Sequence, residues 1–180
     1  MDFELLINRM IRAAKLEPAL YEEVEADEGS LEQALVVVLI SSLAAGIGGL
    51  RAAGLTGLIV GVLGALFGWV VWTGIVYIIG TNLLPGKKTQ TDMPEMLRTL
   101  GFASAPGVIR VLGIIPGLGF ITVFIASIWS LVAMVIAIRQ ALDYYDSGRA
   151  ILVCVIGWVA SLIVFGIIGT IFGISLLATA

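Results

Sequence analysis

The fold of this chain depends on one stretch, DMPEMLRTLGFASAPGVIRVLGII, at residues 92–115. Only its centre, residues 99–109, is free of charge, and that run alone is too short to cross about 30 Å of hydrocarbon at 1.5 Å per helical residue. Asp92 and Glu95, however, form a helix start in which each side chain can bond to the other's backbone N–H. We therefore expect a transmembrane helix over about residues 95–115.

Arg98 and Arg110 lie near the two ends of this predicted span, and both side chains can extend toward the lipid headgroups. With five spans and a cytoplasmic N-terminus, eight Lys and Arg residues fall inside and two outside, the pattern of the positive-inside rule. Without the middle span the contrast falls to six or seven against three or four. The inside set is Arg9, Arg12, Lys15, Lys87, Lys88, Arg98, Arg139 and Arg149, and the outside set is Arg51 and Arg110.

Four further hydrophobic runs flank this stretch. Pro116 and Gly117 break the run that follows it, which places the fourth span after them. The run at 52–86 is too long for one straight span and too short for two, so we expect one tilted or kinked helix. The remaining predicted spans are 31–50, 57–84, 118–138 and 149–175.

Composition supports lipid as the solvent for most of the chain. Of its 180 residues, 59% are hydrophobic and 13% are charged, about half the charged share of an ordinary soluble domain. Nine of the thirteen acids precede Gln33. The N-terminus lacks the pattern of a cleaved signal peptide, so we expect the first span to be retained. The predicted fold is an all-α integral membrane protein with a cytosolic segment at 1–29 and a membrane domain at 30–180.

The N-terminal segment divides into two parts. Apolar residues recur at helical spacing from Phe3 to Ala14, as in a helix lying on the headgroups. The acidic part, residues 17–32, is interpreted as a solvated linker helix that the membrane repels, with a partner-binding site as the alternative.

Glycines recur at spacings of three and four in two of the predicted spans. Small residues let transmembrane helices approach closely, so both stripes predict packing within the bundle, with a dimer interface as the alternative. The first stripe is Gly57, Gly61, Gly64 and Gly68, and the second is Gly166, Gly169 and Gly173.

Residues that carry chemistry are scarce. The chain has no histidine and one cysteine, and in four of the five predicted spans no Asp, Glu, Lys or Arg lies further in than the second residue. We therefore expect no enzyme activity, cofactor, metal or nucleic-acid partner. The candidate functional or structural polar positions are Asn82, Arg98, Pro106, Arg110 and Asp143. A structural pairing of Arg98 with Asp143 or Asp146 is preferred to a substrate site, and Arg110 is expected to reach headgroup phosphates or a loop carbonyl.

Several short motifs in the second half of the chain resemble the Yip (Ypt-interacting protein) domain family. They are Leu97-Arg98, Leu100-Gly101-Phe102-Ala103 and Pro106 around the third span, Trp129 in the fourth, and Gly148-Arg149-Ala150 at the start of the fifth. The N-terminal leader also looks like that of prokaryotic members.

The resemblance implies five spans with a cytosolic N-terminus, in agreement with the charge count. Eukaryotic members associate with small GTPases, but nothing here matches their longer leader, so that property is not carried over. We expect a multi-pass protein of a prokaryotic plasma (inner) membrane, with its C-terminus outside and a membrane-organising or partner-binding role. Its expected partners are membrane lipids, further copies of itself or other membrane proteins. The alternative is a small transporter, channel or lipid-translocating protein.

Overall fold

A computed structural model describes the backbone of residues 2–178 and the side chains of residues 2–170. Within that part of the chain every regular element is helical, which confirms the all-α prediction. The α-helices are α1 (Phe3–Ala14), α2 (Pro18–Ala26), α3 (Ser30–Gly48), α4 (Leu50–Ile78), α5 (Met93–Phe102), α6 (Gly119–Ala141) and α7 (Ser147–Ala178). A π-helical turn, Ile79–Leu83, ends α4, and a 3₁₀ segment, Ala105–Ile114, follows α5.

Among residues 2–178, five helical segments are long and apolar enough to cross a membrane, as the sequence predicted. Each predicted span overlaps one of them, with ends that differ by a few residues. The largest difference is at the second, which begins at Leu50 rather than at residue 57 because α4 continues through a kink at Gly54. That residue has a φ of 63°, which glycine adopts without a Cβ clash. The five segments are Ser30–Gly48, Leu50–Leu83, Met93–Ile114, Gly119–Ala141 and Ser147–Thr170.

The middle span is broken, which the sequence did not predict. Its start has the expected capping box between Asp92 and Glu95. The α-helix stops at Phe102 because Pro106 has no N–H to donate to the carbonyl four residues earlier. The chain continues as a 3₁₀ helix, in which Gly107 donates to the carbonyl of Ser104 instead. The result is a span made of two unlike halves.

Both halves of the middle span lie against α3, and the two run parallel. A Cβ added to Gly101 would lie 2.7 Å from the Ala34 Cβ, which shows how closely the backbones approach. Further along, the Ser41 hydroxyl donates to the Ser104 carbonyl at 2.7 Å. Gly48 then lies so close to the Arg110 carbonyl that no Cβ could fit. Glycine is therefore required at both ends of this contact.

The two predicted glycine stripes do not make contacts of this kind. A Cβ added to Gly61, Gly64, Gly68, Gly166 or Gly169 would meet no other atom within 4 Å among the described residues. At Gly57 the nearest atom is the Cβ of Ala53 in the same helix. Gly173 lies outside the residues whose side chains are described. Packing within the chain thus uses Gly48 and Gly101 rather than the periodic stripes.

The N-terminal helices form a hairpin that packs against the bundle. Its buried apolar residues are Leu6, Ala13, Leu20, Tyr21 and Val24. The Trp129 indole, partway along α6, donates to the Ala14 carbonyl at 2.8 Å. The interpretation of residues 17–32 as a solvated linker was wrong, because α2 buries one face against the membrane domain. Part of the apolar surface that predicted a helix on the headgroups is covered by protein instead, since Leu6 and Ala13 of α1 are buried.

We expect Gly101→Ala to lower the free energy of unfolding by about 1–3 kcal/mol, because the added methyl group has to displace α3. Gly64→Ala is the matched control, since it adds the same group where no atom lies within 4 Å. Thermal midpoints of both variants in one detergent measure the difference. Equal midpoints would contradict the close packing of α3 against α5.

Candidate functional site

A buried arginine joins the hairpin to the membrane domain. Arg98 is only 5% exposed, and its Nε donates to the Val24 carbonyl at 3.0 Å while its Nη2 donates to the Glu25 carbonyl. The Ser30 hydroxyl also donates to Val24, at 2.7 Å. These carbonyls belong to the last turn of α2, where helical partners run out. The predicted pairing of Arg98 with Asp143 or Asp146 is not formed, because the guanidinium is already used here.

Sequence reasoning missed a second buried arginine, Arg9. Its Nε lies 2.9 Å from Glu23, and its Nη1 lies 2.8 Å from Asp27 and 3.0 Å from Gln33. The sequence pattern that could have predicted these ion pairs is the presence of two arginines in α1 followed by several acids in α2. Glu23 and Asp27 pair with α1 across the hairpin while each keeps more than a third of its side chain exposed.

Arg12 adds a further set of ion pairs across the same hairpin. It lies 3.1 Å from Glu17 and 2.5 Å from Glu23. The hydrogen bond from Arg12 lowers the pKa of Glu23 below its usual value. The hairpin therefore presents little unpaired charge where it contacts the bundle.

An open polar cleft of about 600 Å³ lies at the end of the bundle that holds the hairpin. Four cations and three carboxylates line it, Lys87, Lys88, Arg139, Arg149, Glu22, Asp143 and Asp146. Hydrogen bonds join the two loops that form it, from the Thr89 hydroxyl to the Leu142 carbonyl and from the Tyr144 hydroxyl to the Leu84 carbonyl, each 2.6 Å. Among the candidate positions, the cleft contains Asp143 only.

Asp146 and Asn82 both serve the ends of helices. The Asp146 carboxylate accepts from the Gly148 N–H at 2.7 Å at the start of α7. The Asn82 amide donates to the Ile78 carbonyl and to Thr81, both within its own helical turn. Asn82 is exposed with local bonds, whereas Arg98 binds α2 and Arg110 lines a separate groove, so the structure does not bring the candidate polar positions into one site.

A second cavity, a groove of about 490 Å³, lies within the membrane-spanning part. It opens between α3, the 3₁₀ segment and α4, and its lining includes Gly57, Gly61 and Gly68. Arg110 also lines it and is half-buried. Its Nη1 would lie 2.7 Å from a Cβ built on Gly107, one 3₁₀ turn back along the chain. The guanidinium therefore points into the membrane, whereas the sequence predicted that it would reach outward.

Arg110 lines the groove, but no residue of the groove neutralises its positive charge. Within residues 2–170, Arg110 has no side-chain hydrogen bond or ion pair, and no carboxylate lines the groove. Two nearby hydroxyls, those of Ser41 and Ser104, donate to the Ser104 and Gly101 carbonyls and form no hydrogen bond with Arg110. An intramembrane cation in such surroundings is a marker of function.

Residues 18–174 match the family model of the Yip1 domain. The chain belongs to the Yip1 domain family. The match covers α2 and all five spans, whereas α1 precedes it. No curated protein and no solved structure matches the chain. Within this Yip1 domain, the motif residue Pro106 is buried and marks the break between the two halves of the middle span.

No group of three or more His, Cys, Asp or Glu residues in the part of the chain that the structure describes could hold a metal ion. The single cysteine, Cys154, is buried in α7. The features of this Yip1 domain that can act on another molecule are thus the hairpin surface, the polar cleft and the groove around Arg110.

We expect Arg98→Met to lower the free energy of unfolding by about 2–4 kcal/mol, because two buried carbonyls lose a charged donor. Arg139→Met is the control, since Arg139 donates only to the neighbouring Gln140. Unfolding midpoints in detergent compare the two variants. A shift of equal size in both would refute the role of Arg98 in holding α2.

Glu25 makes stability depend on pH. Burial, followed by the nearby carboxylates of Asp143, Glu95 and Glu22, raises its pKa from 4.5 to about 7, against a smaller opposing effect of Arg98. Between these values the folded state holds a proton that the unfolded state has released, so this contribution to stability falls as pH rises from 4.5 through 7.

Glu25→Gln should remove that part of the pH dependence, because glutamine stays neutral throughout. Midpoints measured from pH 5 to pH 8 test this, with the exposed Glu28→Gln as the control. We expect the Glu25 variant to gain stability relative to the parent at pH 8 and little at pH 5. Parallel pH profiles for the parent and Glu25→Gln would contradict the assignment.

Proposed function

We propose that this Yip1-domain protein is a non-catalytic membrane-organising protein that holds an amphipathic helix in one leaflet. The observation that carries the proposal is the outer face of α1. Phe3, Ile7 and Ile11, spaced four residues apart, are 66%, 56% and 50% exposed. They lie beside the face that buries Leu6 and Ala13 against the bundle. The apolar surface of α1 is thus divided between protein and lipid.

Rigid attachment distinguishes this helix from a free amphipathic segment. A free helix binds the headgroup region reversibly and can leave it. Here the Arg9 ion pairs hold α1 to α2, and Arg98 holds α2 to the middle span. The exposed side chains therefore stay at one depth beside the spans. A helix fixed there takes up area in one leaflet only, which favours curved or locally packed membrane.

The orientation proposed from the charge count has support in the fold. Lys87, Lys88, Arg139 and Arg149 line the cleft together with Glu22 of α2, so they share an end of the bundle with the hairpin. Arg98 contacts α2 directly. We assign this end to the cytoplasm and the C-terminus to the outside of a prokaryotic plasma membrane, because the positive-inside rule requires it and the leader resembles prokaryotic members.

The partners that fit this role are membrane lipids and, through the exposed faces of the spans, further copies of the chain or other membrane proteins. One observation favours the alternative function of a transporter, channel or lipid-translocating protein, namely the groove around Arg110. Movement of fluorescent lipids between leaflets of proteoliposomes discriminates the two, because the membrane-organising role does not require it.

Reconstitution tests the α1 proposal directly. We expect the parent protein to reduce mean liposome diameter as the protein-to-lipid ratio rises, and Phe3→Ser/Ile7→Ser to leave it near that of protein-free liposomes. Leu5→Ser, at a less exposed position of the same helix, is the control. Diameters from electron cryomicroscopy provide the measurement.

An environment-sensitive fluorophore on a cysteine at position 11, with Cys154 replaced by alanine, reports insertion. Emission typical of lipid is expected. Emission typical of water, with liposome diameter unaffected by the parent protein, would show that the outer face of α1 binds something other than the bilayer.

A further inference from the structure

The groove beside α4 contains one charged residue, Arg110. The rest of its lining along α4 is largely apolar and is long enough for a hydrocarbon chain. Leu58 of α4 lies against Gly46 of α3, and the two helices are antiparallel. This register places Gly61 at about the depth of the Arg110 guanidinium, which lies near Ser41. From Gly61 the lining continues to Trp72, about 16 Å further into the membrane at 1.5 Å per residue.

The wall along that length is formed by small side chains. Gly61, Ala65 and Gly68 line it, and a Cβ at either glycine would meet nothing within 4 Å in the described chain. The inner end is closed by Trp69 and Trp72. A length of about 16 Å is close to one leaflet of a 30 Å hydrocarbon core. Such a wall offers water few hydrogen-bond partners, whereas an acyl chain matches both its length and its apolar character.

Arg110 determines what the other end of the occupant has to be. Its guanidinium lies beside Gly107 and Ser41, and the lining of the groove contains no acid that could neutralise it. A cation at this depth is costly until it meets an anion. Guanidinium pairs with phosphate through two parallel hydrogen bonds. In a zwitterionic headgroup the attached ammonium offsets the phosphate charge, so an anionic headgroup, whose charge is not offset, neutralises Arg110 better.

We propose that this groove binds an anionic phospholipid, with its phosphate on Arg110 and one acyl chain along α4 from Gly61 to Trp72. The site is independent of the α1 surface, because it lies between α3, the 3₁₀ segment and α4. It gives Arg110 a partner that residues 2–170 do not supply. It also accounts for the small-residue wall, which packs against no other helix of the described chain.

Native mass spectrometry of the delipidated full-length protein in detergent tests the site with two probes, phosphatidylglycerol and phosphatidylcholine. We expect one phosphatidylglycerol to remain bound, and Arg110→Gln to weaken that binding about tenfold, as loss of a charged hydrogen-bonded pair does. Arg51→Gln is the matched control, because Arg51 belongs to the same predicted face of the membrane but does not line the groove. Equal losses in both variants, or equal binding of phosphatidylcholine, would overturn the proposal.

A second pair of variants tests the acyl chain without changing charge. Gly61→Leu fills the groove, whereas Gly166→Leu adds the same side chain at an equally open position on α7. We expect only Gly61→Leu to reduce phosphatidylglycerol binding, with thermal midpoints unchanged in both. Displacement of the lipid by millimolar inorganic phosphate would show a site for a free anion and would refute the acyl-chain contact. Phe3→Ser/Ile7→Ser should retain the lipid, so failure of this site and failure of the α1 proposal give different results.

Discussion

The contact between Arg98 and the last turn of α2 is the interaction on which the rest of the structure depends. A helix that ends inside a protein leaves carbonyls without helical partners, and the residue whose carbonyl is the first of these, Val24, is buried away from solvent. Arg98 supplies two donors, and its charge also suits the negative end of the helix. Since Arg98 belongs to the middle span, the same contact fixes where the hairpin lies on the membrane domain.

The position of the hairpin in turn determines which partners its charged side chains meet. Once α2 is held, Glu23 and Asp27 face α1, and Arg9 completes a buried cluster with Gln33 at the start of α3. An isolated charge at this site would be strongly unfavourable. The cluster therefore tolerates burial only because α1, α2 and α3 meet at one point.

The sequence predicted the five spans and the helix start at Asp92 and Glu95, because hydrophobic length and capping are local properties. It did not predict the partners of Arg98 or Arg9, since those contacts join residues on different helices. The glycine stripes show the limit most clearly. Glycines spaced three and four residues apart identify one face of α4, but not which helix packs against that face. The close helix–helix contacts involve the isolated Gly48 and Gly101 instead. The sequence contains a helix-breaking proline at position 106. Only the structure shows that the chain continues there as a 3₁₀ helix, which packs against α3.

The hydrogen bond between Ala14 and Trp129 has a consequence for biosynthesis. The two residues are separated by 115 positions, and the hairpin cannot complete its contacts until α6 has been made. At 5–20 residues per second the ribosome needs roughly 6–23 seconds to cover that distance. During this interval the hairpin lacks its contacts with α6, although α5, which also packs against α2, has already been made. The hairpin is made before the spans but completes its packing only when α6 has joined them, so the nascent protein passes through a stage in which part of the hairpin's apolar surface is not yet covered.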